Sequence, residues 1–254
     1  NILLIQVFSA LATGGAVVCS QYIGRQDRKM ACNAARQLYY SVFFVASLVA
    51  LVCLCFRDGL LRLVFGSIEP DVLVAAQIYI VYSAISYPFL GIYNAGAALF
   101  RSMGNSKVSL FASLIMNVIN IVGNAIFIFG MNMGMRGAAL ATIIGQIVSF
   151  CISLRYLFHF KTVRLHKDCL RLSWDRTCKI CSYGASAGFN QVAMAVVQIV
   201  MNNTLAHYGA LSVYGSDIPL ACAGIISKVN MIFMSFIIGI SQGIQLIIGY
   251  NYGA

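Results

Sequence analysis

The chain has 254 residues, of which 60% are hydrophobic and only 9% are charged, and its mean hydropathy is +0.85. Soluble globular domains carry about 25% charged residues, so this composition excludes an ordinary soluble domain and indicates a membrane protein. The formal net charge of +10 comes from 17 basic and 7 acidic residues. Nothing beyond that charge suggests nucleic-acid binding.

Seven apolar segments are long enough to cross a bilayer, which requires about 20 residues of helix. The sequence lacks the period-two alternation in short segments that is typical of membrane strands, so all seven are predicted to be helices. In chain order they are residues 2–23, 38–56, 72–100, 108–135, 137–154, 180–216 and 218–252. The predicted fold class is therefore all-α, in a polytopic membrane protein.

The basic residues are distributed unevenly between the two ends of the predicted helices. Thirteen of the 17 fall in three alternate connections, which are residues 25–36, 101–107 and 155–179. By the positive-inside rule these connections are predicted to be cytoplasmic. We expect a multi-pass protein of the plasma membrane.

A long polar connection divides the chain into two parts. It covers residues 155–179, and five predicted spans precede it while two follow. We therefore predict an amino-terminal lobe in residues 1–160, a cytoplasmic linker in residues 161–177 and the start of a carboxy-terminal lobe in residues 178–254.

The first and seventh predicted spans resemble each other weakly. A shift of 229 residues places Gly14 and Gly24 on Gly243 and Gly253. Parallel repeats of whole halves are common in transporters, although small residues also recur in membrane helices because they let backbones approach closely. The chain opens inside an apolar span, so we expect a fragment of a protein with two six-helix lobes. The chain would contain about seven of those twelve helices, namely helices two to eight of the complete protein.

The residues that catalysis or metal binding would need are missing from the interior of the predicted spans. All seven acidic residues fall in or beside connections, the histidines lie in a connection or at a helix end, and no phosphate-binding glycine motif occurs. Cysteines within spans behave as small hydrophobes and imply no disulfide framework. We therefore predict that the protein is not an enzyme.

Amides, a hydroxyl group and one ammonium group remain within the spans. Asn117, Asn120 and Asn124 recur at spacings of three and four, which places them on one face of a helix. Burying an amide without a partner costs about 2 kcal/mol or more, so we expect these side chains to face polar groups or water rather than lipid. Other candidates for lining a polar cavity are Asn94, Gln146, Gln191, Gln198, Asn202 and Lys228.

Two explanations for these polar residues stay open. The amides would form hydrogen bonds between helices, worth about 0.6 kcal/mol each. Alternatively, the amide rows of different spans would face each other or a water-filled cavity between the lobes. For Lys228, a function is the default expectation for a charge within a span, but pairing with an amide explains it equally well.

Six segments carry a further signal, and they follow one another over essentially the whole chain. They are SQYIGRQDRKMA (20–31), LFRSMGNSK (99–107), NVINIVGNAIFIFG (117–130), GMRGAALATIIGQ (134–146), NNTLAHYG (202–209) and GISQGIQLIIGYNYGA (239–254). Together they resemble the multidrug and toxic compound extrusion (MATE) transporters. The resemblance implies two six-helix lobes that work by alternating access and export cationic or amphiphilic compounds in exchange for Na⁺ or H⁺.

The resemblance also implies the partners of the protein. They are a small-molecule substrate of cationic or amphiphilic character and the lipid bilayer, without nucleic acid, and the protein is expected to be a monomer. No cofactor is expected, and no metal ion other than Na⁺, because the family is driven by its coupling ion.

A cation site on the fourth and fifth spans of the chain is a further implication of the resemblance. Part of the family binds its cation with an Asp on the first helix, an Asn and an Asp on the fifth and a Thr on the sixth. The matching residues here are Asn120, Asn124 and Thr142. Asn124 stands where these relatives have an Asp, and an amide can neither take up a proton nor neutralise a cation.

Two other classes of protein remain as alternatives. A flippase for lipid-linked oligosaccharides of a related fold would also have two lobes. A seven-helix receptor would match the number of spans, but the internal repeat and the apolar start of the chain argue against it.

Overall fold

The computed structural model describes residues 2–59, 61, 70–159, 174–211, 215 and 217–254. Seven long helices account for nearly all of these residues, and no strand occurs among them. In chain order the helices are α1 (Ile2–Gly24), α2 (Arg28–Cys55), α3 (Pro70–Ser102), α4 (Ser106–Asn124), α5 (Gly134–His159), α6 (Trp174–Ala210) and α7 (Asp217–Gly253). Each predicted span corresponds to one helix, and the all-α fold is confirmed.

Six of the helices are long and apolar enough to cross a membrane, within the residues that the structure describes. The helix that is not among them is α3, although its sequence is uncharged from residue 72 to residue 100. The second half of α3 is largely buried between other helices, and Ser83 and Ser86 are among its buried residues. A helix that is shielded from lipid by its neighbours tolerates such polar groups.

The structure corrects where two of the predicted spans begin. α2 begins at Arg28, ten residues earlier than predicted, and the Oδ1 atom of Asp27 accepts a hydrogen bond from the Met30 amide at 3.0 Å. α6 begins at Trp174, inside the predicted linker 161–177, whose earlier part lies outside the described residues. Charges end an apolar run without ending a helix, because Arg and Lys are good helix formers.

α1 lies at the centre of the bundle. It contacts α2, α3, α6 and α7, whereas α5 packs against α3 and α4. The residues that α1 buries include Phe8, Ala16 and Cys19. α6 and α7 pack mainly against α1, so most of their described side chains are exposed.

The last turns of α1 and α7 pack against each other at two glycines. The 229-residue shift places one of these glycines on the other. α1 ends at Gly24 and α7 at Gly253, so the two helices end at matching positions. A Cβ atom on Gly24 would overlap the carbonyl oxygen of Tyr250, and one on Gly253 would overlap that of Gln21. Because the same shift relates Gln21 to Tyr250, each helix contributes the same surface, as in a two-fold interface. This symmetry supports the repeat seen in the sequence.

Candidate ion site

α4 and α5 pack closely because small residues lie at the contact between them. A Cβ atom on Gly123 would lie 2.9 Å from the Ala141 Cβ atom, and one on Gly145 would lie 3.1 Å from the carbonyl oxygen of Met116. Small residues let membrane helices approach closely enough for short polar side chains to reach across. The amides of α4 can therefore reach the hydroxyl group of Thr142 on α5.

A directional chain of hydrogen bonds joins the three residues that match the family's cation site. The Nδ2 atom of Asn124 donates to the Oδ1 atom of Asn120 at 2.9 Å, and the Nδ2 atom of Asn120 donates to the Oγ1 atom of Thr142 at 3.3 Å. The Thr142 hydroxyl group in turn donates to the carbonyl oxygen of Ala138 at 2.9 Å. These three side chains, all half-buried, form one connected group, which we call the amide chain.

One oxygen of the amide chain has no hydrogen-bond partner among the described residues. The Oδ1 atom of Asn124 is buried, whereas the Nδ2 atom of the same amide is bonded to Asn120. A buried hydrogen-bond acceptor without a partner costs about 1–3 kcal/mol. This oxygen therefore favours a ligand to which it can offer an electron pair, such as a cation. Hard cations prefer oxygen ligands. The amide and hydroxyl oxygens therefore fit a small cation, although they bring no negative charge.

A small cavity lies beside the same part of α5. Its volume is about 50 Å³, and its polar lining consists of Tyr79, Ser83, Ser86 and Tyr87 of α3 with Thr142 and Gln146 of α5. The Oε1 atom of Gln146 is buried and has no hydrogen-bond partner in the part of the chain that the structure describes. One water molecule occupies about 30 Å³ in the liquid, so the cavity has room for one water molecule or a small cation. Sequence reasoning missed Ser83 and Ser86, whose spacing of three on one helix was the available signal.

The α-helical hydrogen bonding of α4 ends at Asn124. Residues Ala125–Gly130 continue as a π-helix, and the amide of Met131 donates to the carbonyl oxygen of Ile126, five residues earlier, at 3.0 Å. π-helical turns are rare and often occur at functional sites. The sequence predicted one uninterrupted span over residues 108–135, so this change beside Asn124 is a finding of the structure.

Asn117 does not join the amide chain, although its spacing places it on the same face of α4. Its side chain is exposed, and its Nδ2 atom donates to the carbonyl oxygen of Ser113 on its own helix at 3.0 Å. Asn117 therefore does not contribute to the amide chain, and its place at a polar cavity stays a prediction. Asn94 on α3 is half-buried, and its Nδ2 atom has no partner among the described residues.

The amides of α6 form a separate group. The Nε2 atom of Gln198 donates to the Oδ1 atom of Asn202 at 3.1 Å, both side chains are exposed, and Gln191 is half-buried. Over the described residues, α4 does not contact α6, because α1 and α3 lie between them. The two rows of amides are therefore not in contact, and a water-filled cavity between the lobes stays a prediction. Lys228 on α7 is exposed as well.

Replacing Thr142 by Val is expected to lower the free energy of unfolding by about 1 kcal/mol. Val keeps the shape of the side chain but removes the hydroxyl group that accepts from Asn120 and donates to Ala138. Thermal unfolding of the full-length protein in detergent measures the loss. Thr142→Ser keeps the hydroxyl group and should retain more of the stability, whereas a Val variant as stable as the parent would contradict the hydrogen bonds described.

Comparison with known proteins agrees with this architecture. The MatE family model matches residues 1–126. The uncharacterized transporter YisQ of Bacillus subtilis is 26% identical over 99% of this chain and 54% of its own length. The multidrug export protein MepA of Staphylococcus aureus is 22% identical over 99% of this chain and 54% of its own length. The chain thus spans about half the length of the curated relatives it matches.

Solved structures share the fold at low sequence identity. A multidrug resistance MATE family transporter of the MOP superfamily in its outward-facing conformation matches with a TM-score of 0.90 and 20% identity, over 99% of this chain and 54% of that chain. An inward-facing structure of such a transporter matches with a TM-score of 0.77 and 20% identity, over 96% of this chain and 53% of that chain.

The helices, their packing and these matches define a multi-pass helical membrane protein with the fold of a transporter. Residues 1–126 match the MatE family model, and the fold over 99% of the chain is that of MATE family transporters. Members of that family are transporters rather than enzymes.

Proposed function

We propose that the full-length protein is a secondary antiporter that exports cationic or amphiphilic compounds in exchange for Na⁺ or H⁺. It works by alternating access between two lobes, of which residues 1–160 and 178–254 are parts, in the plasma membrane with its basic connections in the cytoplasm. Relatives described as multidrug export and multidrug resistance proteins support an export function.

The amide chain is the observation that carries the ion-coupled part of this proposal. It joins Asn120, Asn124 and Thr142 across two helices and leaves the buried Oδ1 atom of Asn124 without a hydrogen-bond partner among the described residues. A bound cation would replace the hydrogen bonds between these side chains, so that Asn120, Asn124 and Thr142 would each offer an oxygen atom as a neutral ligand. Binding a cation there would tie the relative position of α4 and α5 to the presence of the ion.

Na⁺ suits these three residues better than H⁺. Amides and hydroxyl groups do not take up a proton near neutral pH, but their oxygens can bind a metal cation. If H⁺ is the coupling ion, it must bind a titratable group other than Asn120, Asn124 and Thr142. We therefore favour Na⁺ at the amide chain.

The remaining polar candidates are proposed to contact the exported compound. Neutral amides can hydrogen-bond an amphiphile without the large cost of burying a charge. Gln198 and Asn202 already form such an exposed pair on α6. The other candidates are Asn94, Asn117, Gln146, Gln191 and Lys228.

Dye transport by the full-length protein in liposomes tests the proposal. A cationic dye such as ethidium is supplied under an imposed Na⁺ gradient, an imposed pH gradient and no gradient. We expect dye to accumulate against its own gradient only when an ion gradient is present, and faster with Na⁺. No dye transport under any of the three conditions would contradict the proposal, and scrambling of a lipid-linked sugar without dye transport would indicate a flippase.

A further inference from the structure

A cleft separate from the amide chain opens at the basic end of the bundle, which is the end that carries Arg25, Arg101 and Lys107. It lies between the last turns of α1 and α3, the start of α4 and the last part of α7. Its volume is about 620 Å³, which is within the usual range for sites that bind small molecules. None of the residues of the amide chain lines it.

Arg101 supplies the charge that faces this cleft. Its Nη1 atom donates to the Oγ atom of Ser109 at 3.4 Å, which is long for a hydrogen bond and leaves most of the five N–H donors of a guanidinium group for a ligand. No ion pair joins Arg101 to a carboxylate among the described residues. A half-buried cation without a counter-charge is costly, so the cleft favours an anion.

Neutral hydrogen-bonding groups line the same cleft as the guanidinium group. Ser106, Gln242 and Tyr250 line the cleft, as does Ser102, whose hydroxyl group donates to the carbonyl oxygen of Leu99 at 2.8 Å. Ser106 begins α4, whose N-cap residue Asn105 makes no side-chain cap hydrogen bond, and the free amides of a first turn add to the positive potential. A guanidinium group with hydroxyl and amide donors beside it is well suited to a phosphate group.

The rest of the cleft wall is apolar and continues onto an exposed apolar face of α7. Ile23, Met103, Leu246 and Ile247 line the cleft, and Ile247 is 63% exposed. Ile240 and Ile244 are exposed on the preceding turns of the same helix. An apolar chain can therefore leave the cleft and lie along α7 while its anionic end stays beside Arg101. The matching ligand is an anion joined to an apolar tail.

We propose that this cleft binds an acidic phospholipid, with the phosphate group at Arg101 and one acyl chain along α7. Exposed basic residues at the same end of the bundle attract acidic lipid to the membrane surface around the cleft. They are Arg25, Arg28, Lys29 and Lys107. The proposal goes beyond the export function above, because the ligand is an anion and the charge of Arg101 repels a cationic substrate. Its failure would leave the export proposal untouched.

Native mass spectrometry of the full-length protein in detergent tests the proposal. The probes are phosphatidylglycerol, phosphatidylcholine with the same acyl chains, and glycerol phosphate. We expect one phosphatidylglycerol molecule to bind at least about tenfold more tightly than phosphatidylcholine, and Arg101→Gln to remove that preference. Equal binding of the two lipids, or an unchanged preference in Arg101→Gln, would overturn the proposal. Glycerol phosphate bound as tightly as the lipid would overturn the assignment to a lipid.

Two glycine substitutions on α7 test the apolar part of the cleft. Gly243 lines the cleft and Gly224 does not, and a Cβ atom on either would meet no atom within 4 Å. Gly243→Leu fills the cleft and is expected to weaken phosphatidylglycerol binding about tenfold, whereas Gly224→Leu should leave it unchanged. Equal binding by the two variants would overturn the proposal. Arg101→Lys keeps the charge and should keep most of the lipid preference, which provides a second test if Arg101→Gln does not fold.

Discussion

Replacing Asn124 by Asp is expected to lower the Na⁺ concentration needed for half-maximal binding by about tenfold and to make binding depend on pH. The substitution puts a carboxylate where the buried Oδ1 atom of Asn124 has no hydrogen-bond partner among the described residues. An ionised carboxylate attracts Na⁺ more strongly than an amide dipole does. Protons compete for the same oxygen atoms, so binding should weaken as the pH falls. Calorimetric titration of the full-length protein with Na⁺ at several pH values measures both effects.

The same substitution also removes a hydrogen-bond donor. The Nδ2 atom of Asn124 donates to the Oδ1 atom of Asn120, and an ionised carboxylate at this position would face that oxygen with a like partial charge. A cation between the two oxygens relieves the repulsion. We therefore expect Na⁺ to raise the unfolding temperature of Asn124→Asp more than that of the parent.

Asn117→Asp is the matched control for this prediction. It makes the same chemical change on the same helix, but Asn117 is exposed and bonded to the carbonyl oxygen of Ser113. We expect its Na⁺ affinity and pH dependence to stay close to those of the parent. If the two Asp variants behave alike, the amide chain has no special role in binding Na⁺.

Replacing Gly184 by Leu is expected to lower the free energy of unfolding by roughly 2–3 kcal/mol. The backbones of α1 and α6 touch at this point. A Cβ atom on Gly184 would lie 3.0 Å from the Leu11 Cα atom, and one on Gly14 would lie 2.9 Å from the Gly184 Cα atom. Backbone atoms cannot move aside as the end of a flexible side chain can, so the larger residue must push the helices apart. Thermal unfolding of the full-length protein in detergent measures the effect.

Gly188→Leu is the control for the contact between α1 and α6. Gly188 lies one turn further along α6, and a Cβ atom there would meet no atom within 4 Å. Both substitutions gain the same in helix propensity, because Leu is a better helix former than Gly, so the difference between them reports the contact with α1. We expect Gly188→Leu to unfold at or above the temperature of the parent, and equal stability of the two variants would contradict the packing described.

The helices could be predicted from the sequence because a bilayer requires long apolar segments. Each predicted span corresponds to one helix. Helix starts were predicted less well, because the apolar pattern marks the region that lipid covers rather than the whole helix. α2 and α6 extend beyond that region through segments rich in charge, which helical backbones tolerate when the side chains reach water.

The candidate ion site could be predicted only in part. Spacing placed Asn120 and Asn124 on one face, and the resemblance to a family added Thr142, which the hydrogen bonds place next to them. The spacing of residues gives the direction of each side chain around the helix axis. It does not give the neighbouring group that the side chain meets at each turn of the helix. For that reason it predicted neither that Asn117 bonds to its own helix nor that the amides of α6 lie apart from those of α4.

The Na⁺ dependence of dye export in liposomes tests the proposed ion site most directly. Asn120 lies in the middle of the amide chain, whereas Asn117 on the same helix lies outside it. We predict that Asn120→Ala loses the dependence on the Na⁺ gradient and that Asn117→Ala keeps it. An Asn120→Ala variant with the same Na⁺ dependence as the parent would contradict an ion site at the amide chain.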